Sequence, residues 1–289
     1  MSWKRFIGGA LVVATLAGAP AAAIARDLVM GLIPAESNEE MIKKFEPMRA
    51  YLEKAVGSPI KVFTATSYEG VIEAMKRKRV DIAWFGPLSY VLAEREAGAE
   101  PFAVGVMANG KSTYKSIFVV PTNSPAKSLM DLKGKTAAFA APASTSGNLI
   151  PTYIVKKQTG MMPQEFFGKF SFAGSHDASE LACKNKAADI CADNDITYPA
   201  MVKAGQISPE TNRILSESEP LPGSPLTYRG DLAPEMKKKI KDAILNAHKH
   251  IKVTGYGELI RYDEAKASDY QMIRDLVKEL GLKQEDMAK

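Results

Sequence analysis

The chain has 289 residues, of which 46% are hydrophobic, and it carries 38 Lys and Arg against 33 Asp and Glu. This length suits two domains of ordinary size or one large one. The formal charge of +5 is too small to favour nucleic acid as a partner. With only 2 Cys and 3 His, a zinc site has few ligands to draw on. We therefore expect no metal, no cofactor and no nucleic-acid partner.

The N-terminus has the three regions of a secretory signal peptide. Lys4 and Arg5 precede an apolar run at 6–18, and Ala23-Ile24-Ala25 offers a cleavage site with small residues at its first and third positions. The apolar run is shorter than the roughly 20 residues of a membrane-spanning helix. No Cys follows the cleavage site closely, which disfavours a lipid-anchored lipoprotein. We expect cleavage near Ala25, removal of residues 1–25, and a periplasmic protein that does not span the membrane.

Short apolar runs then alternate with amphipathic segments along the chain. Strands are predicted at 28–34, 60–65, 81–86, 102–106, 114–120, 136–140, 169–173, 188–192, 213–216 and 226–229. Helices are predicted at 37–55, 68–78, 88–97, 234–250 and 267–280. This alternation predicts parallel α/β sheets covered on both faces, in which ligands bind at the carboxyl ends of the strands.

Two turn-rich segments suggest where the chain passes between two units. We interpret residues 121–125 as the first crossing and residues 221–225 as the return. The predicted first lobe is then discontinuous, with residues 26–120 and 221–289, and the second lobe is 121–220. Two α/β lobes joined by two strands would enclose a cleft.

A run of hydroxyl side chains lies between the strand predicted at 136–140 and a following helical segment. Ser144, Thr145 and Ser146 occupy what we predict to be the first turn of that helix, and Gly147 lets the backbone approach a neighbour closely. Unpaired N–H groups and the helix dipole make such a turn a site for an anion. A single Ser or Thr here would be an ordinary helix cap. The Gly-x-x-x-x-Gly-Lys frame of a nucleotide-binding loop is missing, so a nucleotide is not the expected anion.

The two cysteines, Cys183 and Cys191, are eight residues apart. An oxidising compartment allows one disulfide between them. Two buried free thiols are the equally weighted alternative.

Four sequence blocks resemble the substrate-binding proteins of phosphonate and phosphite ABC transporters. They are residues 80–90 (VDIAWFGPLSY), 144–147 (STSG), 174–178 (GSHDA) and 222–225 (PGSP), in the family's order. The resemblance implies a two-lobed periplasmic-binding-protein fold (type II, class α/β) in which two hinge strands join the lobes. It also implies a monomer that closes on a small phosphorus oxyanion and hands it to a membrane permease.

The resemblance further implies a set of ligand-binding residues. In the family, phosphonate oxygens are met by the hydroxyls of the Ser-Thr-Ser turn, by the His that opens the next helix, and by tyrosines of the first lobe. The matching positions in this chain are Tyr68, Tyr114, Ser144, Thr145, Ser146 and His176.

Departures from the family pattern bear on which ligand is bound. Family members that bind aminoalkylphosphonates place carboxylates in the cleft, and the corresponding positions here are Ser224 and Ile196. Other carboxylates that could meet an ammonium group, and aromatic side chains that could form an apolar wall beside Tyr68 and Tyr114, are Glu36, Asp193, Asp195, Trp84 and Phe85. We expect phosphite, hypophosphite or methylphosphonate to be favoured over 2-aminoethylphosphonate.

Two other functions are compatible with these residue types. A hydrolase could use Ser144 or Ser146 with His176 and Asp177 or Asp193, but the Gly-x-Ser-x-Gly elbow is missing. A protein of the same fold could also bind another small anion, such as a carboxylate or a sulfonate. We expect no catalytic residues and a binding protein, not an enzyme.

Overall fold

The computed structural model describes residues 27–282, and the predicted signal peptide at 1–25 lies outside them. The chain begins with β1 (Leu28–Leu32), α1 (Asn38–Val56), β2 (Ile60–Thr64), α2 (Tyr68–Lys76), β3 (Ile82–Trp84), α3 (Pro87–Ala97), β4 (Ala99–Met107) and β5 (Thr113–Tyr114). It continues with β6 (Ser116–Pro121), β7 (Thr136–Phe139), α4 (Ile150–Thr159), α5 (Pro163–Phe166), β8 (Lys169–Phe172), α6 (His176–Lys184), β9 (Ile190–Asn194), α7 (Thr197–Lys203) and β10 (Asn212–Glu217). It ends with β11 (Leu221–Pro222), β12 (Pro225–Arg229), α8 (Pro234–Asn246), β13 (Leu259–Glu264) and α9 (Gln271–Glu279).

Local sequence accounts for the first predicted helix, α1. In α1, Ser37 accepts a hydrogen bond from the Glu40 backbone N–H, and Met41, Phe45 and Leu52 are buried on one face. Gly57 ends the helix with a φ of 69°, a left-handed conformation that glycine adopts without a steric penalty. The predicted helix is therefore confirmed to within one residue at each end.

The first sheet has six strands in the order β2-β1-β3-β12-β4-β13. β1 pairs in parallel with β2 and β3, whereas β12 pairs antiparallel with β3 and β4. The expectation of a purely parallel sheet is wrong, because β12 and β13 are contributed after the chain returns from the second lobe and run the opposite way to their neighbours.

The second sheet has five strands in the order β10-β6-β9-β7-β8. Successive residues of β6 point to opposite faces, so Ile117 and Val119 pack in one hydrophobic cluster while Phe118 and Val120 pack in another. The sheet is thus covered on both faces, as expected for an α/β lobe.

The chain crosses between the two sheets through the short pair β5–β11. Leu221 lies opposite Tyr114 in this antiparallel pair. Because β6 is hydrogen-bonded to β9 and β10 in the second sheet, the chain leaves the first lobe at Lys115, between β5 and β6, and not after residue 120. We therefore propose lobes comprising 27–114 with 221–282, and 115–220.

Cys183 and Cys191 form a disulfide with a Cα–Cα separation of 6.1 Å. It connects α6 to β9 in the core of the second lobe, where both cysteines are fully buried. Of the two alternatives left open by the sequence, the bridge is the one formed.

Hydrogen bonds connect the two lobes on either side of the cleft. The His176 backbone N–H donates to the Ala35 carbonyl at 2.9 Å, and Asn194 Nδ2 donates to the Tyr256 hydroxyl at 3.0 Å. The lobes are therefore in contact, in a closed arrangement. Across 27–282, no helix combines the length and apolar character needed to cross a membrane.

Candidate ligand-binding site

A small cavity of about 20 Å³ lies between the lobes at the carboxyl ends of the central strands. The first-lobe and hinge residues that line it are Ile33, Ala35, Tyr68, Trp84, Gly86, Tyr114, Ser224 and Tyr256, and the second-lobe residues are Ser144, Thr145, Ser146, His176 and Asn194. The set includes all six residues predicted to bind the ligand. None of these lining residues is Lys, Arg, Asp or Glu.

The hydroxyl-rich segment forms a turn of π-helix, Thr145–Leu149, that continues into α4. Ser144 is its N-cap, and its Oγ accepts a hydrogen bond of 3.0 Å from the Gly147 N–H. Ser144, Thr145 and Ser146 are each 2% exposed. A helix start directs its free N–H groups outward along the axis, so this turn presents hydroxyl and backbone donors to the cavity together.

Gly147 allows close packing of the hydroxyl turn against its neighbours. A Cβ at this position would lie 2.3 Å from Cβ of Ala140, 2.9 Å from Oγ of Ser144 and 3.0 Å from Cε1 of His176. The Gly147 carbonyl also accepts a hydrogen bond from the Ala140 N–H at 2.9 Å. The absence of a side chain thus lets the turn lie directly against β7 and the imidazole.

Two tyrosines of the first lobe reach the hydroxyl turn of the second. Tyr68 is the first residue of α2 and its hydroxyl interacts with that of Ser144, while the hydroxyl of Tyr114 in β5 interacts with those of Ser146 and Thr145. Burial raises the pKa of Tyr68 far above its ordinary value and that of Tyr114 to about 12. Both phenols therefore stay protonated at neutral pH and can donate hydrogen bonds.

His176 opens α6 and connects the cavity to the interior of the second lobe. Its Nε2 lies 3.2 Å from Ser144 Oγ, and its Nδ1 lies 2.8 Å from Oδ1 of Asp193. Burial lowers the pKa of His176 to about 4, against the opposing effect of nearby carboxylates led by Glu36. The imidazole is therefore neutral at neutral pH.

Behind the imidazole, Asp193 and Glu180 form a buried carboxyl pair. Both side chains are 0% exposed, and Glu180 Oε2 accepts a hydrogen bond of 2.7 Å from Asn212 Nδ2. Burial raises the pKa of Asp193 well above its usual range, and burial together with Asp193 raises that of Glu180 to about 10. Two carboxyl groups in contact cannot both ionise without strong repulsion, so the pair retains a proton.

Of the two aromatic residues expected to form a wall, the structure places only Trp84 at the cavity. Trp84 contacts Tyr256, with ring centroids 4.8 Å apart. Phe85 is fully buried in the core of the first lobe instead. The expectation for Phe85 is corrected, because adjacent residues at a strand end point to opposite faces.

The three carboxylates considered as ammonium partners also lie outside the cavity lining. Glu36 is ion-paired with Lys44, and Asp195 accepts a hydrogen bond of 2.8 Å from the Lys115 N–H at the hinge. Asp193 lies behind His176. Glu36 and Asp195 are thus engaged with protein partners, and Asp193 lies against the imidazole and not at the cavity.

Tyr256 and Asn194 also line the cavity, although neither is among the residues predicted to bind the ligand. The Tyr256 hydroxyl bonds both Asn194 and Thr197, so it connects the lobes at the edge of the cavity. Tyr256 lies between Gly255 and Gly257, whose φ values are 155° and 98°. This Gly-Tyr-Gly pattern could have marked a loop that holds an aromatic side chain in a special position.

As a whole, the site offers many neutral hydrogen-bond donors and one aromatic wall. Groups of three or more His, Cys, Asp or Glu arranged to hold a metal are not found within 27–282. Convergent neutral donors without a counter-charge suit a small oxyanion that is removed from water, since each hydrogen bond to a charged group is worth about 1.5–3 kcal/mol.

A family model and individual relatives identify the same protein family for this chain. Residues 30–270 match the family described as "ABC transporter, phosphonate, periplasmic substrate-binding protein". The chain is 31% identical over 223 residues to the phosphonates-binding periplasmic protein of Escherichia coli, a match that covers 76% of this chain and 65% of that protein, just under two thirds. It is 30% identical to the phosphate-import protein PhnD of Mycolicibacterium smegmatis, over 74% of this chain and 70% of that one.

A solved structure extends the comparison to the fold. The structure of PhnD1 from Prochlorococcus marinus in complex with methylphosphonate superposes with a TM-score of 0.77 at 25% identity. The superposition covers 88% of this chain and 98% of that one. The two-lobed α/β fold of periplasmic binding proteins expected from the sequence is thereby confirmed.

Proposed function

Since this chain belongs to the family of periplasmic substrate-binding proteins of phosphonate ABC transporters, we propose that it captures a small phosphorus oxyanion in the cavity between its lobes. The observation that carries the proposal is the convergence of donors from both lobes on one buried space. Tyr68 and Tyr114 from the first lobe face Ser144, Thr145 and Ser146 from the second. A ligand that bonds to both groups stabilises the closed arrangement.

The expected affinity follows from the number of these donors. About four to six hydrogen bonds to a charged ligand, at about 1.5–3 kcal/mol each, outweigh the several kcal/mol needed to desolvate the anion. Micromolar binding requires a net of about 8 kcal/mol. The upper part of this range reaches that value once desolvation is subtracted, provided that the two lobes close around the ligand.

The cavity wall supports a ligand with an apolar substituent on phosphorus. Trp84 and Tyr256 form an aromatic wall, and the two positions that differ from aminophosphonate binders, Ser224 and Ile196, carry no charge. Because Glu36 and Asp195 are held by protein partners, an ammonium group would be buried without a counter-charge, which is costly. We propose phosphite, hypophosphite or methylphosphonate over 2-aminoethylphosphonate.

The test of the ligand is calorimetry on the protein that begins at Arg26. The panel is phosphite, hypophosphite, methylphosphonate, 2-aminoethylphosphonate, phosphate and sulfate. We expect tight binding of at least one of the first three and binding at least tenfold weaker for the aminophosphonate. Tightest binding of the aminophosphonate or of phosphate would overturn the proposed ligand preference, and no binding across the panel would overturn the proposed function.

A conservative variant tests the site itself. Tyr68→Phe removes only the hydroxyl that bonds Ser144, and we expect it to weaken the preferred ligand about tenfold, or 1.4 kcal/mol. Tyr153→Phe is the matched control, because Tyr153 lies on α4 outside the cavity lining. Equal affinities for the two variants would remove Tyr68 from the site.

We further propose that the mature protein works in the periplasm and delivers its ligand to a membrane permease. The family description supports both points. Ligand-dependent binding to its permease in detergent or nanodiscs would test the delivery step. A permease that bound the protein equally well with and without ligand would contradict it.

One observation supports a hydrolase as a second candidate. Ser144 Oγ, His176 Nε2, His176 Nδ1 and Asp193 Oδ1 follow one another at 3.2 and 2.8 Å, in the order of a nucleophile, a base and an orienting carboxyl group. However, the Ser144 oxygen caps its own helix turn by accepting the Gly147 N–H. Turnover of an activated phosphonate ester that is lost in Ser144→Ala would favour the hydrolase.

A further inference from the structure

The electrostatics around the cavity present a problem for any anion. The lining contains no cationic side chain, yet four carboxyl groups act on His176 or lie against it. These are Glu36 of the first lobe, Asp177 and Glu180 of α6, and Asp193 of β9. Other titratable groups near the cavity are the phenols Tyr68, Tyr114 and Tyr256, whose pKa values are raised, and the carboxyl groups of Glu69 and Asp195, which act on Tyr68 and Tyr114.

Two of the four carboxyl groups have donors of their own. Glu36 is ion-paired with Lys44, and Asp177 accepts hydrogen bonds from the Ser37 N–H and the Ser175 hydroxyl. The Lys44 charge is thereby used at Glu36, so it is not free for a ligand. The other two, Asp193 and Glu180, share their buried contact behind the imidazole.

This environment determines where His176 holds its proton. Nδ1 lies 2.8 Å from Oδ1 of Asp193, and we assign the proton of the buried carboxyl pair to Glu180, whose pKa is raised to about 10. The neutral imidazole then directs its N–H on Nδ1 toward an ionised Asp193 and keeps its lone pair on Nε2. Nε2 is the atom that faces Ser144 and the cavity. A fully ionised phosphorus oxygen beside that lone pair would be repelled, whereas a P–O–H group would donate to it.

We propose that the cavity binds its ligand together with one proton, shared between a phosphorus-bound oxygen and Nε2 of His176. This inference rests on the proposed function and narrows the ligand to the singly protonated form of phosphite or methylphosphonate, since the hypophosphite anion carries no P–O–H group. The Ser144 hydroxyl, which bonds Nε2 in the structure described, is then released to donate to a second ligand oxygen. Asp193 is a positioning residue, because it acts on the ligand through the imidazole.

The shared proton fixes how many protons are exchanged with solvent when the ligand binds. Below the second pKa of the ligand, the monoanion enters with its own proton and no proton is exchanged with solvent. Above that pKa the free ligand is a dianion, and one proton per ligand is taken up from solvent on binding. The dissociation constant should then rise tenfold for each pH unit.

The test is calorimetry with methylphosphonate and with phosphite from pH 5.5 to 9, in pairs of buffers that differ in ionisation enthalpy. For the unmodified protein we expect proton uptake to increase from near zero to near one per ligand across the second pKa of each ligand. Affinity should fall about tenfold per pH unit above it. Tight binding with no proton uptake at pH 9 would overturn the inference and leave the proposed function intact, whereas no binding at any pH would count against the proposed function.

Two variants locate the proton. His176→Gln replaces the Nε2 lone pair with an amide group that can donate a hydrogen bond to an unprotonated ligand oxygen. We therefore expect weaker binding, with an affinity that depends less on pH. His248→Gln is the matched control, since His248 is exposed and outside the cavity lining, and it should keep the full slope. A full slope in His176→Gln would place the proton elsewhere and overturn the inference.

A measurement on the unmodified protein covers the case in which His176→Gln does not bind. Nitrogen NMR of ¹⁵N-histidine protein reports the protonation of each ring nitrogen. We expect the Nε2 signal of His176 to move from the position of an acceptor nitrogen toward that of a protonated one when methylphosphonate is added at pH 8. An unchanged Nε2 signal at saturation would contradict the shared proton.

Discussion

The backbone N–H of Leu88 in the first lobe donates a hydrogen bond of 2.8 Å to Thr145 Oγ1 in the second. Leu88 lies in the first turn of α3, whose N-cap Gly86 has no side chain to satisfy that turn. Thr145 therefore caps a helix of the other lobe. Because its oxygen accepts from Leu88, the Thr145 hydroxyl has one hydrogen left to donate, either to Tyr114 or to a ligand in the cavity. In the proposed function, Thr145 thus joins lobe closure and ligand binding in one side chain.

Replacing Thr145 should weaken ligand binding more than it changes stability. Thr145→Val keeps the shape but removes both the cap for Leu88 and a donor to the ligand. We expect affinity for the preferred ligand to fall at least tenfold, about 1.4 kcal/mol, by calorimetry. Thr145→Ser keeps the oxygen and should stay within about threefold of the unmodified protein. If the Val and Ser variants bound equally well, the shared role of the hydroxyl would be refuted.

Substitution of Gly147 should disturb the turn by crowding. The added methyl of Gly147→Ala would lie 2.3 Å from Cβ of Ala140, and overpacking of this kind costs about 1–3 kcal/mol. We expect a lower melting temperature and weaker binding. The double variant Ala140→Gly with Gly147→Ala removes the closest contact and should recover part of the stability. A double variant no more stable than Gly147→Ala would show that another contact causes the loss.

The disulfide should contribute measurably to stability. Closing the short loop between Cys183 and Cys191 reduces the entropy of the unfolded chain, by an amount worth about 2–3 kcal/mol. We expect the double Ser variant to lose that amount in urea unfolding. Reductant should lower the stability of the unmodified protein under conditions that allow exchange and leave the variant unchanged. Equal stabilities of both proteins without reductant would contradict this.

The buried carboxyl pair should make stability depend on pH. Since Glu180 has a pKa of about 10 in the folded protein against 4.5 ordinarily, the folded state holds a proton that the unfolded state releases. The stabilisation from this proton is full below about pH 4.5 and is lost as pH rises toward 10. We expect the free energy of unfolding to decrease between pH 7 and 9, and to decrease less in Glu180→Gln.

The choice of pH range for this unfolding experiment depends on a second titrating group, His176. His176, whose pKa is lowered to about 4, has the opposite effect, because the unfolded state then binds the extra proton between pH 4 and about 6.5. Measurements from pH 7 upward avoid that contribution. Glu279→Gln, on the exposed surface of α9, should keep the pH dependence of the unmodified protein. A Glu180→Gln variant with an unchanged slope would be evidence against the buried proton.

Much of the site could be predicted because its features are local. The hydroxyls of residues 144–146 stand together in sequence, and a strand followed by a helix predicts a turn that exposes them. The apolar alternation of 114–120 also predicts a strand, but a single one. The break at Lys115 is created by pairing with two different sheets, and nothing in the local pattern encodes that change of partner.

The features that were missed depend on distant contacts. Strand β13 was not predicted, because at the sheet edge its Ile260 is exposed and its apolar alternation is weak. Tyr256 and Asn194 meet only when the lobes close, although they are 62 residues apart in sequence. Residue type alone could not assign either of them to the cavity.

By itself the sequence determined the α/β class, the hydroxyl turn, the family and the absence of carboxylates at positions 196 and 224, because these depend on spacing and residue type. Only the tertiary structure decided which acidic groups are engaged elsewhere, that Phe85 faces the core, that the cysteines are joined, and that His176 lies between Ser144 and Asp193. The physical reason is that burial and charge partners arise between segments far apart in the chain. Those neighbours determine whether a side chain is protonated and in which direction it points.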